Sequence, residues 1–182
     1  RISKSAEDLE ITIKGDVMFE KEISSLVAAN TWYPISVPFE MRVSDDIYNS
    51  EGEKLTYNQQ YSFYKYDTKK RATDGGDRQE SITDSWLSMS ADEVLHPGIG
   101  YMITVSHAPY GWLRFKASNK QDVFETSVEV PLNFYPSSNW NNTKNEGWNY
   151  LANPYSAQVA IPTIPEGLTY VQVATEGTAN KD

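Results

Sequence analysis

We predict an all-β fold from this sequence: an antiparallel β-sandwich, jelly-roll-like or immunoglobulin-like, with little helix. Aromatic side chains make up 13% of the 182 residues, and together with Thr, Val and Ile they favour pleated sheets. About eleven short apolar or alternating runs are separated by turn signals, which is the spacing expected of a sandwich. No run keeps helical periodicity over the length of an ordinary helix.

A duplicated motif is the second feature of the sequence. Residues 32–43 and 148–159 both match the pattern W-x-x-[IL]-[SA]-x-P-[FY]-x-x-x-V, and each copy is followed by Leu-Thr-Tyr, starting at Leu55 and at Leu168. A short apolar run that ends in proline is typical of a strand buried on both faces. We therefore predict two equivalent core strands in an internally duplicated fold. An aromatic ligand site is the alternative.

The first half of the chain predicts a series of strands joined by turns. Alternation on both sides of a Gly-Asp turn predicts a hairpin over 10–19. The polar stretch 67–84 predicts a long hairpin loop after an aromatic-rich strand. Further strands are predicted over 22–28, 31–39, 43–48 and 61–66.

The second half continues the β pattern. A strand opens at Trp86, and residues 90–93 match a capping box, which predicts a short helical turn carrying Val94 and Leu95. Two glycines lead into a buried strand over 98–105. Alternating strands are predicted over 112–117 and 123–130, and an Asn-rich loop separates them from the second motif copy.

One domain over residues 1–182 is the expected organisation. The alternative is a first β unit over 1–118 and an incomplete second unit over 119–182. The first unit runs from Trp32 to Ile103, and a second unit of equal length starting at Trp148 would extend past Asp182. We expect either an abbreviated second unit or a native chain that continues past Asp182. In the latter case, an unpaired terminal strand could pair with a further chain segment.

Composition excludes several classes of function. The net charge of −9 and the pI of about 4.7 argue against nucleic acid or an anionic membrane as partner. The absence of cysteine excludes disulfides, thiolate zinc sites and cysteine nucleophiles. No apolar stretch approaches the roughly 18–20 residues that span a bilayer. Because the chain opens at Arg1, we expect a targeting segment to have been removed.

Three segments together resemble β-rich modules of large secreted or outer-surface proteins of Bacteroidetes. They are residues 32–39, the G-x-G-Y-M-I element at 98–103, and the G-W-N-x-[IL]-x-N-P-Y element at 147–155, which is the most specific. The resemblance implies a cell-surface or secreted location and a module of a longer polypeptide. It implies no catalytic residues.

The sequence offers few groups for catalysis or metal binding. His96 and His107 are the two histidines, and neither has a second ligand at a useful spacing for zinc. No G-x-S-x-G motif is present. Asp74 and Asp77 are weak calcium candidates in a polar loop, since their spacing is not that of an EF-hand and solvated loop charges explain them better. We therefore predict no catalytic residues and no cofactor, with calcium at Asp74 and Asp77 as the weaker alternative.

Aromatic residues near predicted loops are the candidate ligand-binding residues. Tyr110 and Trp112 flank a glycine, and Trp140 precedes Asn141. Exposed rings stack on sugars, while amide side chains bond to sugar hydroxyls. The alternative is that Trp112 lies in the core and that Trp140 anchors its loop.

Our first functional hypothesis is a non-enzymatic module of a bacterial surface or secreted protein that serves adhesion or assembly. A carbohydrate-binding module is the second, with a glycan or a surface protein as partner. A glycosidase-type enzyme is the third, because a facing pair among the 25 acidic residues cannot be recognised from sequence.

Overall fold

The computed structural model describes residues 14–22, 29–74, 85–106, 112–117, 127–137, 145–155 and 166. Nine strands and one short helix lie within these ranges. They are β1 (Met18–Glu22), β2 (Trp32–Ile35), β3 (Met41–Arg42), β4 (Ile47–Tyr48), β5 (Tyr61–Tyr66), α1 (Thr68–Asp74), β6 (Trp86–Ser88), β7 (Val94–Leu95), β8 (Tyr101–Val105) and β9 (Trp112–Lys116).

The strands form three antiparallel sheets. The largest has the order β2-β8-β5-β6, a second has the order β1-β9-β4, and β3 pairs with β7. Helix is almost absent from the described residues. The predicted all-β, sandwich-like fold class is confirmed.

One hydrophobic core is built from the inward faces of the sheets. Phe63 of β5, Ile103 of β8, and Leu113 and Phe115 of β9 are at most 1% exposed, and each alternates with an outward neighbour. Burying such a side chain contributes about 1.5–3 kcal/mol. Within the described residues, the members of this core cluster all lie between Ile35 and Ala117. The division of the chain into domains stays a prediction.

Several predicted strands are confirmed and others are shorter than expected. The aromatic strand over 61–66 is β5, the alternating strand over 112–117 contains β9, and the strand over 98–105 contains β8. Pro34 fits within β2 because β2 is an edge strand. The prediction of one strand over 43–48 is wrong: the Arg42 N–H donates to Asp45 Oδ2 at 2.8 Å, and a turn separates β3 from β4.

The polar stretch 67–84 contains a helix where we predicted only a loop. The hairpin itself is right, since Tyr66 pairs with Trp86. Asp67 caps α1, because its Oδ1 accepts the Lys70 N–H at 2.9 Å and its carbonyl accepts the Arg71 N–H at 3.0 Å. Residues 75–84 lie outside the described residues.

The capping-box residues form a turn without a helix, in which one bond of the box is made and a backbone bond replaces the other. The Ser90 N–H donates to Glu93 Oε2 at 2.7 Å, and the Glu93 N–H donates to the Ser90 carbonyl at 3.2 Å. Val94 and Leu95 then pair with β3 as strand β7. The predicted helical turn is therefore wrong; the motif closes a tight turn between two strands.

The described part of the second motif copy, residues 148–155, is not a core strand. Residues 148–155 contain only an isolated bridge from Leu151 to Ile99. Tyr155 is 37% exposed, whereas Phe39 at the equivalent position is 1% exposed. The physical reason is polarity: Asn153 replaces the buried Val37 of the first copy.

The strand predicted over 123–130 is also wrong in its described part, because residues 127–130 form no strand. Residues 123–126 lie outside the described residues, as does the first strand of the hairpin predicted over 10–19. In the described part of the chain, no helix has the length and apolarity needed to cross a membrane.

Candidate functional site

The outward surface of the four-stranded sheet is rich in aromatic rings. Alternation places the core residues of β5 and β8 on one side and Trp32, Tyr64, Tyr66 and Trp86 on the other. Tyr150 joins them from residues 145–155 through contacts with two of these rings. We call these five residues the outer aromatic face.

Strand register sets hydroxyl groups beside the rings. Trp32 lies opposite Thr104, and Thr104 lies opposite Ser62 on the other side of β8. In the next row, Tyr64 lies opposite Ser88 of β6. The outer aromatic face therefore combines flat apolar surfaces with hydrogen-bonding groups that both donate and accept.

The rings pack on one another in a continuous series. Trp32 and Tyr64 stack, with centroids 4.3 Å apart and planes inclined by 20°. Trp86 meets Trp32 edge-on at 6.2 Å and Tyr150 edge-on at 4.9 Å. Such pairs contribute about 0.5–1.5 kcal/mol beyond their burial. Trp32 remains 36% exposed, so this end of the series is open to solvent.

Tyr150 packs against Gly100, the residue that directly precedes strand β8. A Cβ atom at Gly100 would lie 2.3 Å from the Tyr150 ring, closer than any side-chain contact allows. The Gly100 N–H donates to the Tyr150 carbonyl at 3.0 Å. Burial raises the pKa of the Tyr150 hydroxyl. The missing side chain of Gly100 therefore makes the space that lets Tyr150 close one end of the outer aromatic face.

The three segments that carry the family resemblance meet in space. The Ala152 N–H donates to the Gly98 carbonyl at 3.0 Å, and the Ser36 hydroxyl donates to the Asn153 carbonyl at 2.7 Å. Gly98 has a φ of +84° and lies under Val130, whose Cγ2 would be 2.4 Å from a Cβ there. The two glycines of the G-x-G element thus have a structural role, which is close approach of the later chain.

Asn149 fastens the segment further. Its Oδ1 accepts the Asn133 N–H, and its Nδ2 donates to the carbonyls of Asn133 and Gly147, all at 2.9 Å. The Asn149 amide thus bonds to both backbone groups of Asn133, as a residue of a neighbouring strand would. These bonds explain why an asparagine follows Trp148 where a core strand would need an apolar residue.

A cavity of about 370 Å³ lies beside the covered end of the outer aromatic face. Tyr66 and Tyr150 line it from that side, and Lys65 and Glu93 line it with an ion pair to each other. Its volume is at the lower end of the range for small-molecule pockets, about 300–1,000 Å³.

Among the described residues that line this cavity, Glu93 is the one carboxylate. The Lys65 ammonium, followed by the Ser90 N–H, holds the pKa of Glu93 below its ordinary value. A general acid needs a raised pKa, and a glycosidase needs a second carboxyl group. The cavity lining therefore lacks the pair of acids that our third hypothesis requires.

Trp112, a predicted ligand-binding residue, belongs to a different sheet. It lies on the outward side of β9, half-buried, and not in the core. The Arg114 guanidinium lies 3.8 Å from the centre of its ring, and Arg114 Nε donates to Glu20 Oε2 at 3.1 Å. One ring face of Trp112 is therefore occupied, as one face of Trp32 is by Tyr64, and Trp112 is the less exposed of the two rings.

The other predicted site residues are only partly described. Tyr110, Trp140 and Asn141 lie outside the described residues, as do Asp77 and His107. Asp74 ends α1. His96 is exposed, and its Nδ1 lies 2.8 Å from Glu40 Oε1.

Within the described ranges, no three His, Asp or Glu side chains gather as metal ligands would. The calcium prediction stays a prediction, because one of its two candidates falls outside those ranges.

Sequence reasoning missed Trp32 as a surface residue. Its run contains adjacent aromatic residues, so a period of two cannot decide which ring faces the core. The sequence did contain one signal for an aromatic outer surface, in residues 61–66. If Phe63 is assigned to the core, Tyr64 and Tyr66 must face outward.

Comparison with known proteins gave no match: no family model, no curated protein and no solved structure was significantly similar to this chain.

Proposed function

We propose that this chain is a non-enzymatic module of a bacterial cell-surface or secreted protein, and that it serves adhesion through its outer aromatic face. The single observation that carries the proposal is the exposed Trp32 ring, stacked on Tyr64 at the open end of a packed aromatic series. Ligand sites combine aromatic surfaces with a few fixed polar groups. Thr104 is the cross-strand neighbour of Trp32, and Ser62 lies opposite Thr104 on the next strand.

The arrangement of ionisable groups favours binding over catalysis. Several acidic side chains of the described residues are engaged by cations, such as Asp46 with Lys54 and Glu20 with Arg114. The Lys54 ammonium holds the pKa of Asp46 below its ordinary value. A carboxylate with a lowered pKa, such as that of Asp46, stabilises its ion pair and is a poor proton donor near neutral pH.

Assembly through protein contacts is a second candidate, and a separate observation favours it. Four of the six large hydrophobic side chains that are exposed in the described residues come from residues 132–155: Leu132, Phe134, Leu151 and Tyr155. The two segments that carry them are joined by the bonds between Asn149 and Asn133, and exposed apolar patches are typical of surfaces that associate.

The test is a solid-phase binding assay on the folded chain. Fibronectin, collagen, mucin and neutral polysaccharides are immobilised, and the wild type is compared with Trp32→Ala and Phe134→Ala. We expect saturable binding to one class, a loss of at least about tenfold for Trp32→Ala by analogy with a binding hot spot, and little change for Phe134→Ala.

Two results would contradict the proposal. One is release of reducing sugars from any of the polysaccharides, because that is enzymatic turnover. The other is binding that survives Trp32→Ala and is lost in Phe134→Ala, which would support assembly through residues 132–155.

A further inference from the structure

The outer aromatic face differs from a protein interface in size and in chemistry. A stable protein interface buries about 800 Å² on each partner. Here Trp32 alone reaches 36% exposure, while Tyr64, Tyr66, Trp86 and Tyr150 are half-buried against one another. The open surface is thus the area of roughly one or two rings.

The Trp32 ring is held in place before any ligand arrives. Tyr64 stacks against it at 4.3 Å, and the edge of Trp86 limits its rotation from the side. The ring is therefore a rigid apolar plate, whose ordering costs little entropy on binding.

Hydroxyl groups border this plate in register. Thr104 is the cross-strand neighbour of Trp32, and Ser62 faces Thr104 from β5, one strand further on. The Ser62 hydroxyl donates to Asn58 Oδ1 at 3.2 Å and keeps its acceptor capacity. Side-chain hydroxyls donate and accept hydrogen bonds, as sugar hydroxyls do, and a pyranose ring also presents an apolar C–H face. The aromatic ring matches the apolar C–H face of a pyranose, and the neighbouring hydroxyl groups match the sugar hydroxyls.

The net charge of the chain favours some classes of glycan ligand over others. With a net charge of −9, the protein repels polyanions such as sulfated or uronic-acid glycans. A neutral glycan escapes this repulsion.

We infer that the outer aromatic face is a binding site for a neutral glycan, with one pyranose ring stacked on Trp32 and its hydroxyls bonded beside Thr104 and Ser62. This inference rests on the proposed function and names its ligand class.

The experiment is isothermal titration of the full chain with four oligosaccharides, each at up to millimolar concentration. Cellohexaose, maltohexaose and N-acetyllactosamine are neutral, and a heparin hexasaccharide is the anionic comparator. We expect at least one neutral glycan to bind. Trp32→Ala should weaken that binding at least tenfold, and Thr104→Val severalfold.

Phe134→Ala is the matched control, because Phe134 is an exposed aromatic residue that makes no ring contact with the outer aromatic face. Its affinity should stay within twofold of the wild type. Trp32→Phe keeps an aromatic plate, and it should retain more affinity than Trp32→Ala. Near-UV circular dichroism checks that each variant is folded.

Three results would overturn the inference: no neutral glycan binds the folded chain, heparin binds more tightly than the neutral glycans, or binding depends on Trp112 or Trp140 instead of Trp32. Trp32-dependent binding to a matrix protein without glycan binding would overturn the inference and leave the proposed adhesion function standing.

Discussion

The Tyr150 ring fills the space that a side chain at Gly100 would need. A Cβ there would lie 2.3 Å from Tyr150 Cδ1, and the backbones of the two residues are joined by a hydrogen bond of 3.0 Å. This contact attaches residues 145–155 to the four-stranded sheet, and it completes the outer aromatic face by bringing Tyr150 against Trp86.

The first prediction concerns this contact. Gly100→Ala should lower the free energy of unfolding by about 2 kcal/mol, because an added methyl group in a packed site forces displacement. In a Tyr150→Ala background the same change should be nearly neutral, since the obstructing ring is gone. Urea denaturation of the four proteins measures the coupling. Equal costs in both backgrounds would contradict the contact.

A second prediction compares two phenylalanines. Phe63 is fully buried in β5, whereas Phe134 is 67% exposed. Phe63→Ala should cost about 3–5 kcal/mol of unfolding free energy by leaving a cavity in the core, and Phe134→Ala should cost less than about 0.5 kcal/mol. Thermal unfolding followed by circular dichroism gives both values. A large loss in Phe134→Ala would show that residues 131–137 pack differently.

The third prediction concerns Asn149, which bonds to the backbone of Asn133 at both its N–H and its carbonyl. Asn149→Ala should remove about 1–3 kcal/mol of local stability. Hydrogen exchange should then speed up at the Asn133 amide, while the Ile103 amide in β8 keeps its protection. If hydrogen exchange at the Asn133 amide is unchanged, the bonds from Asn149 do not attach residues 145–155 to residues 131–137.

A fourth prediction is an acid dependence of stability. Because its bond to Lys65 lowers the pKa of Glu93 in the folded state below 4.5, the folded protein favours the ionised carboxylate. The stabilisation from this pair is complete above about pH 4.5, the ordinary glutamate value, and is lost as the pH falls through the folded-state pKa.

A double-mutant cycle with Glu93→Gln and Lys65→Met measures this effect. At pH 7 we expect a coupling free energy below about 1 kcal/mol, because the pair is partly exposed. At pH 2 the coupling should vanish. A coupling that persists at pH 2 would mean that packing, and not charge, links the two side chains.

Three strands could be predicted because their runs are rich in aromatic and β-branched residues, and the run over 112–117 also alternates cleanly. Phe63, Ile103 and Phe115 occupy inward positions in three runs whose neighbours are polar or outward-facing, and all three runs are strands. Periodicity of this kind is imposed by the sheet itself.

Two other features escaped prediction, one because its signal is local and weak and the other because it depends on tertiary contacts. Helix α1 has seven residues and no apolar face, and its cap at Asp67 is a local bond that polar loops also form. The second motif copy matches the first at its tryptophan and proline. Its Asn149, however, bonds to the backbone of Asn133, a partner 16 residues away that sequence could not place.

The candidate site was missed for a related reason. The predicted residue Trp112 has one ring face under Arg114, whereas Trp32 was assigned to a buried strand. Which side of β2 faces the core is decided by its pairing with β8, and pairing is not visible in the run itself.

Proton–nitrogen correlation spectra of the tryptophan indoles test the central claim most directly. The chain has five tryptophans, each giving one side-chain N–H signal, and single substitutions assign them. On titration with cellohexaose, maltohexaose and N-acetyllactosamine in turn, we expect at least one glycan to shift the Trp32 signal strongly and the Trp86 signal less, with Trp112 unmoved. Shifts at Trp112 or Trp140 with Trp32 unchanged, or no shift with any glycan, would contradict a glycan site on the outer aromatic face.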